Sequence, residues 1–144
     1  MKIRIIQIWL LLSVVCYANA QTHEDANEAF RLSEESQKPV LLIFSGSDWC
    51  APCIRFQKTV LSDEQFLLYA SDHLILLKAD FPQRKKLAKE ITKQNEQLAE
   101  KYNPRGQFPH IVLLSSDQSV LSTLHFKNQN TEEFISMLST HFAE

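Results

Sequence analysis

Cysteine is scarce in this sequence. The 144-residue chain has three cysteines, and Cys16 lies in an N-terminal segment that we expect to be removed. Only Cys50 and Cys53 then remain, which leaves no thiols for a structural disulfide elsewhere or for a zinc site with four cysteines. Any cysteine chemistry of the mature chain therefore belongs to this one Cys-x-x-Cys pair.

Positive charge is not in excess either. The chain has 15 lysines and arginines against 17 aspartates and glutamates, and the loss of Lys2 and Arg4 with the N-terminal segment changes the formal net charge from −2 to −4. An acidic balance argues against a nucleic-acid partner. The sequence also has no internal repeat, no low-complexity tract and no second apolar segment of membrane-spanning length.

The first 20 residues have the features of a secretory signal peptide. Lys2 and Arg4 supply positive charge, residues 5–15 are mostly apolar, and Ala18-Asn19-Ala20 matches an A-x-A cleavage site. A membrane anchor is the alternative, but the apolar stretch is short and small residues follow it. We expect residues 1–20 to be removed and residues 21–144 to form one exported, periplasmic domain with no stable membrane insertion.

An apolar run and the Cys-x-x-Cys pair that follows it dominate the middle of the chain. Val40 to Phe44 predicts a buried strand, and the polar residues 45–48 predict a loop before a helix that begins at the cysteines. A helix N-terminus stabilises a thiolate, so the pKa of Cys50 should be lower than that of a free cysteine. We predict that Cys50 is the nucleophile and that Cys53, one helical turn later, resolves the mixed disulfide.

The segment Ser47-Asp48-Trp49-Cys50-Ala51-Pro52-Cys53 resembles the Trp-Cys-Gly-Pro-Cys signature of the thioredoxin superfamily, in particular of small secreted thioredoxin-like proteins of bacteria. The resemblance extends from Lys38 to Leu124, and Phe108-Pro109 matches the cis-proline loop of the family. The chain departs from the family pattern at two places. Ala51 replaces the more common glycine, and the strand 41–44 lacks the buried aspartate that many thioredoxins have there.

The resemblance implies a thiol–disulfide oxidoreductase that reduces disulfides of partner proteins. Such a protein needs no cofactor beyond its own dithiol. Its partners would be disulfide-containing exported proteins and an upstream electron donor, and we expect a monomer. The resemblance also implies a thioredoxin-like fold without the optional first strand of the family.

Four residues around the cysteines have predicted supporting roles. Trp49 would form a flat apolar flank for a docked partner, with ordinary core packing as the alternative. Pro52 suits the first turn of a helix, and the resemblance implies that it also helps to keep the pair reducing. Phe108 would offer its backbone N–H and C=O to an extended substrate across a cis bond to Pro109.

The group that manages the proton of Cys53 is left open by the sequence. Without the usual buried carboxylate, deprotonation would rely on water or on a group such as Asp80 or Lys78. His110, beside the proline loop, could stabilise a thiolate, or it could be a strand-end histidine with a local partner. A different class of function also remains: a metal-handling protein could bind Cu(I) through Cys50, Cys53 and His110.

The hydrophobic pattern predicts the order α-β-α-β-α-β-β-α. This order corresponds to an α/β protein with a four-stranded mixed sheet and helices on both faces. Thr22 and Thr131 are the predicted N-caps of the first and last helices, and Ser62 begins a capping box between them. The predicted strands are residues 40–44, 74–79, 110–115 and 119–126.

The longest predicted helix, residues 84–102, begins with Arg84-Lys85-Lys86. Positive charge in a first turn opposes the helix dipole, and this cluster could therefore mark a surface for an acidic partner. The alternative is an ordinary solvated charged face.

Overall fold

The computed structural model describes residues 20–142. The predicted signal peptide, residues 1–20, lies outside this range except for Ala20. Within the described residues the elements are β1 Thr22–His23, α1 Ala26–Ser36, β2 Val40–Ser45, α2 Ala51–Phe56, a π-helical segment Gln57–Leu61, α3 Glu64–His73, β3 Ile75–Asp80, α4 Lys89–Tyr102, β4 His110–Leu114, β5 Val120–Leu124 and α5 Thr131–Ser139. None of the helices in residues 20–142 combines the length and the apolar character needed to cross a membrane.

The strands form one mixed sheet in the order β1-β3-β2-β4-β5. β1 and β2 both run parallel to β3, whereas β4 is antiparallel to β2 and to β5. β2 is central and is buried at all six positions, as its apolar sequence predicts. The carboxyl end of β2 leads directly into the loop before the cysteine pair.

The two faces of the sheet carry two separate cores. Leu41 and Ile43 of β2 pack with residues of α2, α3 and α5, including Phe56. Leu42 and Phe44, which alternate with them, pack with residues of α1 and α4. Any side chain on the sheet near the cysteines therefore faces either the α2 side or the α1 and α4 side.

The sheet has five strands, and the predicted count of four was too low by one. β1 comprises only two residues, paired with Leu76 and Leu77 of β3, and a strand this short has no detectable hydrophobic period. Thr22 lies in this strand and is not a helix cap. Asp25 caps α1 instead, since its carboxylate accepts hydrogen bonds from the N–H groups of Asn27 at 2.9 Å and Glu28 at 3.3 Å.

Two other predicted caps are displaced by one residue. Asp63 rather than Ser62 caps α3, accepting from the N–H of Gln65 at 2.9 Å. Asn130 rather than Thr131 caps α5 and forms a capping box with Glu133. Each pair places two good capping residues side by side, so propensity alone cannot choose between them.

The predicted start of the longest helix is wrong by five residues. α4 begins at Lys89, so Arg84, Lys85 and Lys86 precede it and do not oppose its dipole. They lie in the segment 81–88 between β3 and α4, which we call the basic loop. Its conformation is fixed by a distant contact with Asp48, described below.

Candidate functional site

The two cysteines lie at the start of α2 and are joined by a disulfide, with their Cα atoms 5.2 Å apart. Cys50 is the N-cap residue of this helix, and its Sγ accepts a hydrogen bond from the backbone N–H of Cys53 at 3.3 Å. α2 continues directly into the π-helical segment. In the reduced protein, the same N–H and the helix dipole would stabilise a thiolate at Cys50.

Residues 46–50 connect β2 to α2, and we call them the cysteine loop. The indole of Trp49 covers one side of this loop. Its Nε1–H donates to the carbonyl oxygen of Phe81 at 2.7 Å, and its ring meets the ring of Phe108 edge to face at 5.4 Å between centroids. The side chain is nevertheless 39 % exposed. An anchored but exposed aromatic ring can contact a partner without losing much conformational entropy.

Gly46 leaves room for the indole of Trp49. A Cβ atom at Gly46 would lie 2.3 Å from Cε2 of Trp49, far closer than non-bonded atoms approach. The Trp49 and Cys50 N–H groups both point to the carbonyl oxygen of Gly46, at 3.3 and 2.9 Å. Because Gly46 has no side chain, the indole of Trp49 can pack directly against the backbone of this turn.

Replacing Gly46 by alanine should displace the Trp49 ring and break its bond to Phe81. We expect a loss of about 1–3 kcal/mol in the free energy of unfolding, as for other overpacked sites, measured by denaturant titration. Since Trp9 lies in the predicted signal segment, Trp49 is the single tryptophan of the mature chain. Its fluorescence should therefore change in the folded state.

Gly106→Ala is the matched control for this substitution. Gly106 has φ +60°, but nothing lies within 4 Å of a Cβ placed there. Alanine there should cost stability through backbone strain without moving Trp49. If Gly46→Ala left the Trp49 emission and the stability at their original values, the proposed packing of indole against glycine would be incorrect.

The carboxylate of Asp48 holds the basic loop against the cysteine loop. It accepts hydrogen bonds from three successive backbone N–H groups, those of Gln83 at 2.9 Å, Arg84 at 2.7 Å and Lys85 at 3.3 Å. These bonds, led by the one from Gln83, lower the pKa of Asp48 below its ordinary value. The carboxylate therefore stays ionised, and the contact persists, at neutral pH.

The proline loop, which includes Phe108 and Pro109, contacts the indole of Trp49 through the ring of Phe108. The Phe108–Pro109 peptide bond is cis, the isomer that the resemblance implies. Asn103, which is buried, holds the preceding turn: its side-chain amide donates to the carbonyl of Gln107 at 2.8 Å, and its Oδ1 accepts from the Gln107 N–H at 2.9 Å. Phe108 is thereby fixed between the rings of Trp49 and Phe81.

His110 lies on the opposite face of the sheet from Cys53. It pairs with Phe44 and packs against its ring at 5.8 Å, on the side of α1 and α4. Its Nε2–H donates to the carbonyl of Tyr102 at 3.0 Å. Burial lowers the pKa of His110, and the bond to Tyr102 only partly offsets that effect. In residues 20–142 no cluster of three or more His, Cys, Asp or Glu side chains is arranged to hold a metal ion.

Behind Cys53 lies a small cavity of about 160 Å³, which we call the Cys53 cavity. Lys78 of β3 reaches it because it pairs with Ile43 and shares the α2 face of the sheet. Its Nζ donates to Oε1 of Gln57 at 3.4 Å. The side chains around the cavity are neutral or cationic: Ser45, Ser47, Cys53, Ile54, Gln57, Lys58 and Lys78.

Asp80 does not line the Cys53 cavity. Its buried carboxylate accepts from the N–H and the hydroxyl of Ser47, at 2.9 and 2.6 Å, and pairs with Lys85 at 3.2 Å. Asp80 therefore holds the loop before the cysteines in place. Of the two proton-managing candidates from the sequence, only Lys78 lies beside Cys53.

The structure thus separates the predicted site residues into two groups. Trp49 directly precedes Cys50 and contacts Phe108, which a cis bond joins to Pro109, and Pro52 lies in the first turn of α2. Cys53 and Lys78 share the Cys53 cavity, whereas His110 and Asp80 have other partners. The sequence analysis assigned no role to Gly46 or Asp48. The rarity of glycine could have drawn attention to Gly46, because the chain has only two glycines.

Comparisons with known proteins agree with this arrangement. The family model described as thioredoxin-like matches residues 20–116. The chain is 31% identical over 126 residues to the disulfide bond reductase DsbH of Chlamydia pneumoniae, covering 88% of this chain and 75% of the relative. It is also 31% identical to the thioredoxin-related protein DsbJ of the same organism, over 67% of this chain and 27% of DsbJ. A solved DsbH oxidoreductase superposes with a TM-score of 0.80 at 27% identity, covering 98% of this chain and 94% of that one.

Proposed function

Because the chain belongs to the thioredoxin-like family and is a thiol–disulfide oxidoreductase, we propose that it is an exported reductase of disulfides in partner proteins. The observation that carries this proposal is the Cys50–Cys53 pair at the N-terminus of α2, with Cys50 as the N-cap. The direction is supported by the similar DsbH, whose name describes a disulfide bond reductase.

The proposed reaction has two exchange steps. The Cys50 thiolate attacks one sulfur of a partner disulfide, forming a mixed disulfide and releasing the other sulfur as a thiolate that takes up a proton. Cys53 then loses its proton and attacks Sγ of Cys50, which closes the Cys50–Cys53 disulfide and frees the partner as a dithiol. Two electrons pass to the partner, and an upstream dithiol donor must return them.

The residues around Cys50 suit an extended partner segment. Trp49 supplies an exposed apolar face, and the ring of Phe108, the residue before Pro109, lies in contact with it. An extended chain beside the proline loop could pair with the backbone of Phe108 by strand addition. We propose that this contact places the partner disulfide over Cys50, while Pro52 fixes the first turn of the helix.

We further propose that Lys78 assists the second step. An ammonium group next to a thiol favours the thiolate, whereas a buried carboxylate would act as a base. The Cys53 cavity has two lysines and no carboxylate along its walls. Its volume of about 160 Å³ is enough for water to carry the released proton away.

We propose the location and the partners from the predicted signal peptide. Residues 1–20 would direct export to the periplasm and then be removed, leaving the domain of residues 21–144 as a monomer. Disulfide-containing exported proteins would be the substrates. Because thiols oxidise in such a compartment, continued reduction requires an electron donor.

Reduction of insulin disulfides in the presence of dithiothreitol tests the proposal. The mature protein should accelerate insulin precipitation, and equilibration with a glutathione buffer should give a potential of roughly −200 to −270 mV. A potential near about −120 mV would instead indicate an oxidant.

His110→Ala is a useful control because His110 lies on the other face of the sheet from Cys53. The variant should retain most of the insulin reductase activity. The metal-handling alternative requires a different result: insulin untouched, Cu(I) bound stoichiometrically by the dithiol, and binding weakened at least about tenfold by His110→Ala.

A further inference from the structure

The basic loop places positive charge beside the active site of an otherwise acidic protein. Its cations Arg84, Lys85 and Lys86 are consecutive and exposed. The whole chain has a net charge of −2, and removal of residues 1–20 would make it −4. The cluster is therefore opposite in sign to the average charge of the molecule.

Four hydrogen bonds fix this loop next to the nucleophile. Asp48, two residues before Cys50, accepts from the backbone N–H groups of residues 83–85. Trp49, directly before Cys50, donates to the carbonyl of Phe81. Arg84 and Lys85 are therefore attached through their own backbone to the loop that presents Cys50, and their position relative to the sulfur is set by the fold.

Two of the three cations remain available for a partner. Lys85 is paired with the buried carboxylate of Asp80 at 3.2 Å. Among the described residues 20–142, Arg84 and Lys86 form no ion pair with any carboxylate. The shape of the loop is thus maintained by Asp48 and Asp80, while two charges project into solvent.

An apolar cavity adjoins these charges. It has a volume of about 290 Å³ and lies between the basic loop and α4. Its walls include Phe81, Pro82, Leu87, Lys85 and Lys86, and also Thr92, Asn95 and Asp80, whose carboxylate is paired with Lys85. Phe81, in the wall of this cavity, also accepts the hydrogen bond of Trp49 and contacts the ring of Phe108. A partner segment lying across these residues would meet apolar contacts and positive charge together.

We propose that the basic loop selects partner disulfides that are flanked by acidic residues. This inference rests on the proposed reductase function and specifies its substrate class. Carboxylates of the bound segment would pair with Arg84 and Lys86 while its disulfide lies over Cys50. Complementary charge at the edge of an interface mainly increases the association rate, and it loses this effect as salt increases.

The test compares disulfide peptides that differ only in flanking charge. Each carries one intramolecular disulfide flanked by glutamates, glutamines or lysines, and the measured quantity is the second-order rate constant with the pre-reduced protein. At about 0.01 M ionic strength the glutamate peptide should react at least about fivefold faster than the lysine peptide, and the difference should shrink at about 0.15 M. The double variant Arg84→Glu/Lys86→Glu should reverse the order.

Two further variants separate local charge from other effects. Arg84→Lys/Lys86→Arg keeps the charges and should keep the preference. Lys101→Glu changes the net charge by −2, as does each of the single reversals Arg84→Glu and Lys86→Glu, but at the opposite end of α4. It should leave the ratio unchanged, whereas each single reversal should reduce it. Equal rates for the three peptides, or an order that survives the charge reversal at residues 84 and 86, would overturn the inference.

A neutral substrate distinguishes this failure from a failure of the proposed function. If the wild-type protein reduces hydroxyethyl disulfide but shows no charge preference, the reductase function stands and the inference falls. If it reduces neither that compound nor any peptide, the proposed function falls and the inference with it.

Discussion

Substitution of Cys50 by serine is expected to abolish insulin reduction, whereas Cys53→Ser should stop the reaction after its first step. Cys50 is the N-cap of α2 and directly follows Trp49, whose exposed ring contacts Phe108 of the proline loop; Cys50 is 5 % exposed and Cys53 is 3 % exposed. Cys53 lies behind it and lines a separate cavity. With serine at position 53 the mixed disulfide on Cys50 has no internal thiol to resolve it and should accumulate.

Mass spectrometry and alkylation measure the two parts of this prediction. Cys53→Ser mixed with oxidised insulin should give a covalent complex that Cys50→Ser does not form. The rate of alkylation against pH should have a lower midpoint for the Cys50 thiol, measured in Cys53→Ser, than for the Cys53 thiol, measured in Cys50→Ser. A faster, lower-pKa Cys53 or a trapped complex on Cys53 would reverse the assignment.

The double variant Cys50→Ser/Cys53→Ser is the appropriate control for these experiments. Serine differs from cysteine by one atom, so the double variant should keep the fold. It should bind partners without forming any covalent complex. A complex in the double variant would have to involve something other than the pair, because no other cysteine lies in residues 21–144.

The elements next to the cysteines could be predicted because their signals are local. The apolar run of β2 and the Cys-x-x-Cys pair together define a strand, a loop and a helix N-terminus within about 15 residues. The structure has each of them, and the family assignment agrees. The same local reasoning found the strands β3, β4 and β5, with ends displaced by one or two residues.

Features that depend on distant contacts could not be predicted in this way. The helical pattern of residues 84–102 is real, but Asp48 takes the N–H groups of residues 83–85, so α4 starts only at Lys89. β1 forms because β3 offers a free edge, with which Thr22 and His23 pair 54 positions earlier in the chain than their partners Leu76 and Leu77. The sequence of residues 83–88 does not show that Asp48 binds their backbone, and the sequence of residues 22–23 does not show that β3 has a free edge.

His110 and Lys78 show the importance of strand alternation. Both lie on strands close to the cysteines, but His110 pairs with Phe44 and Lys78 with Ile43, which face opposite sides of the sheet. A residue placed one position away from the expected register faces the other core. Lys78 was one of the two candidates that the sequence suggested, and it is a cation between apolar residues of a buried strand, on the same face as Leu76.

The second large effect is expected at this lysine: Lys78→Met should slow the resolution of the mixed disulfide about tenfold at neutral pH. Methionine keeps most of the apolar volume of the side chain but removes its charge. With the ammonium absent, the Cys53 cavity favours the thiolate less, and the pKa of Cys53 should increase. Rapid mixing and acid quenching, followed by quantification of the mixed disulfide, would measure this step separately from the first attack.

The pH dependence distinguishes an electrostatic role from a purely structural one. If Lys78 stabilises the thiolate, the resolution rate of Lys78→Met should approach that of the wild type as pH rises, because the thiol then ionises without assistance. Lys78→Arg should retain most of the rate. A uniform loss at every pH, together with a lower melting temperature, would indicate that the substitution only disturbs packing.

Two neighbouring residues supply the matched controls. Lys58→Met removes the other cation of the same cavity, but Lys58 is exposed and solvent screens its charge, so its effect on resolution should be smaller. Asp80→Asn should destabilise the loop that holds Ser47 without moving the pH profile of resolution, because Asp80 bonds to Ser47 and Lys85 and does not line the cavity. A shifted profile in Asp80→Asn and an unchanged one in Lys78→Met would transfer the proton-managing role from the lysine to the carboxylate.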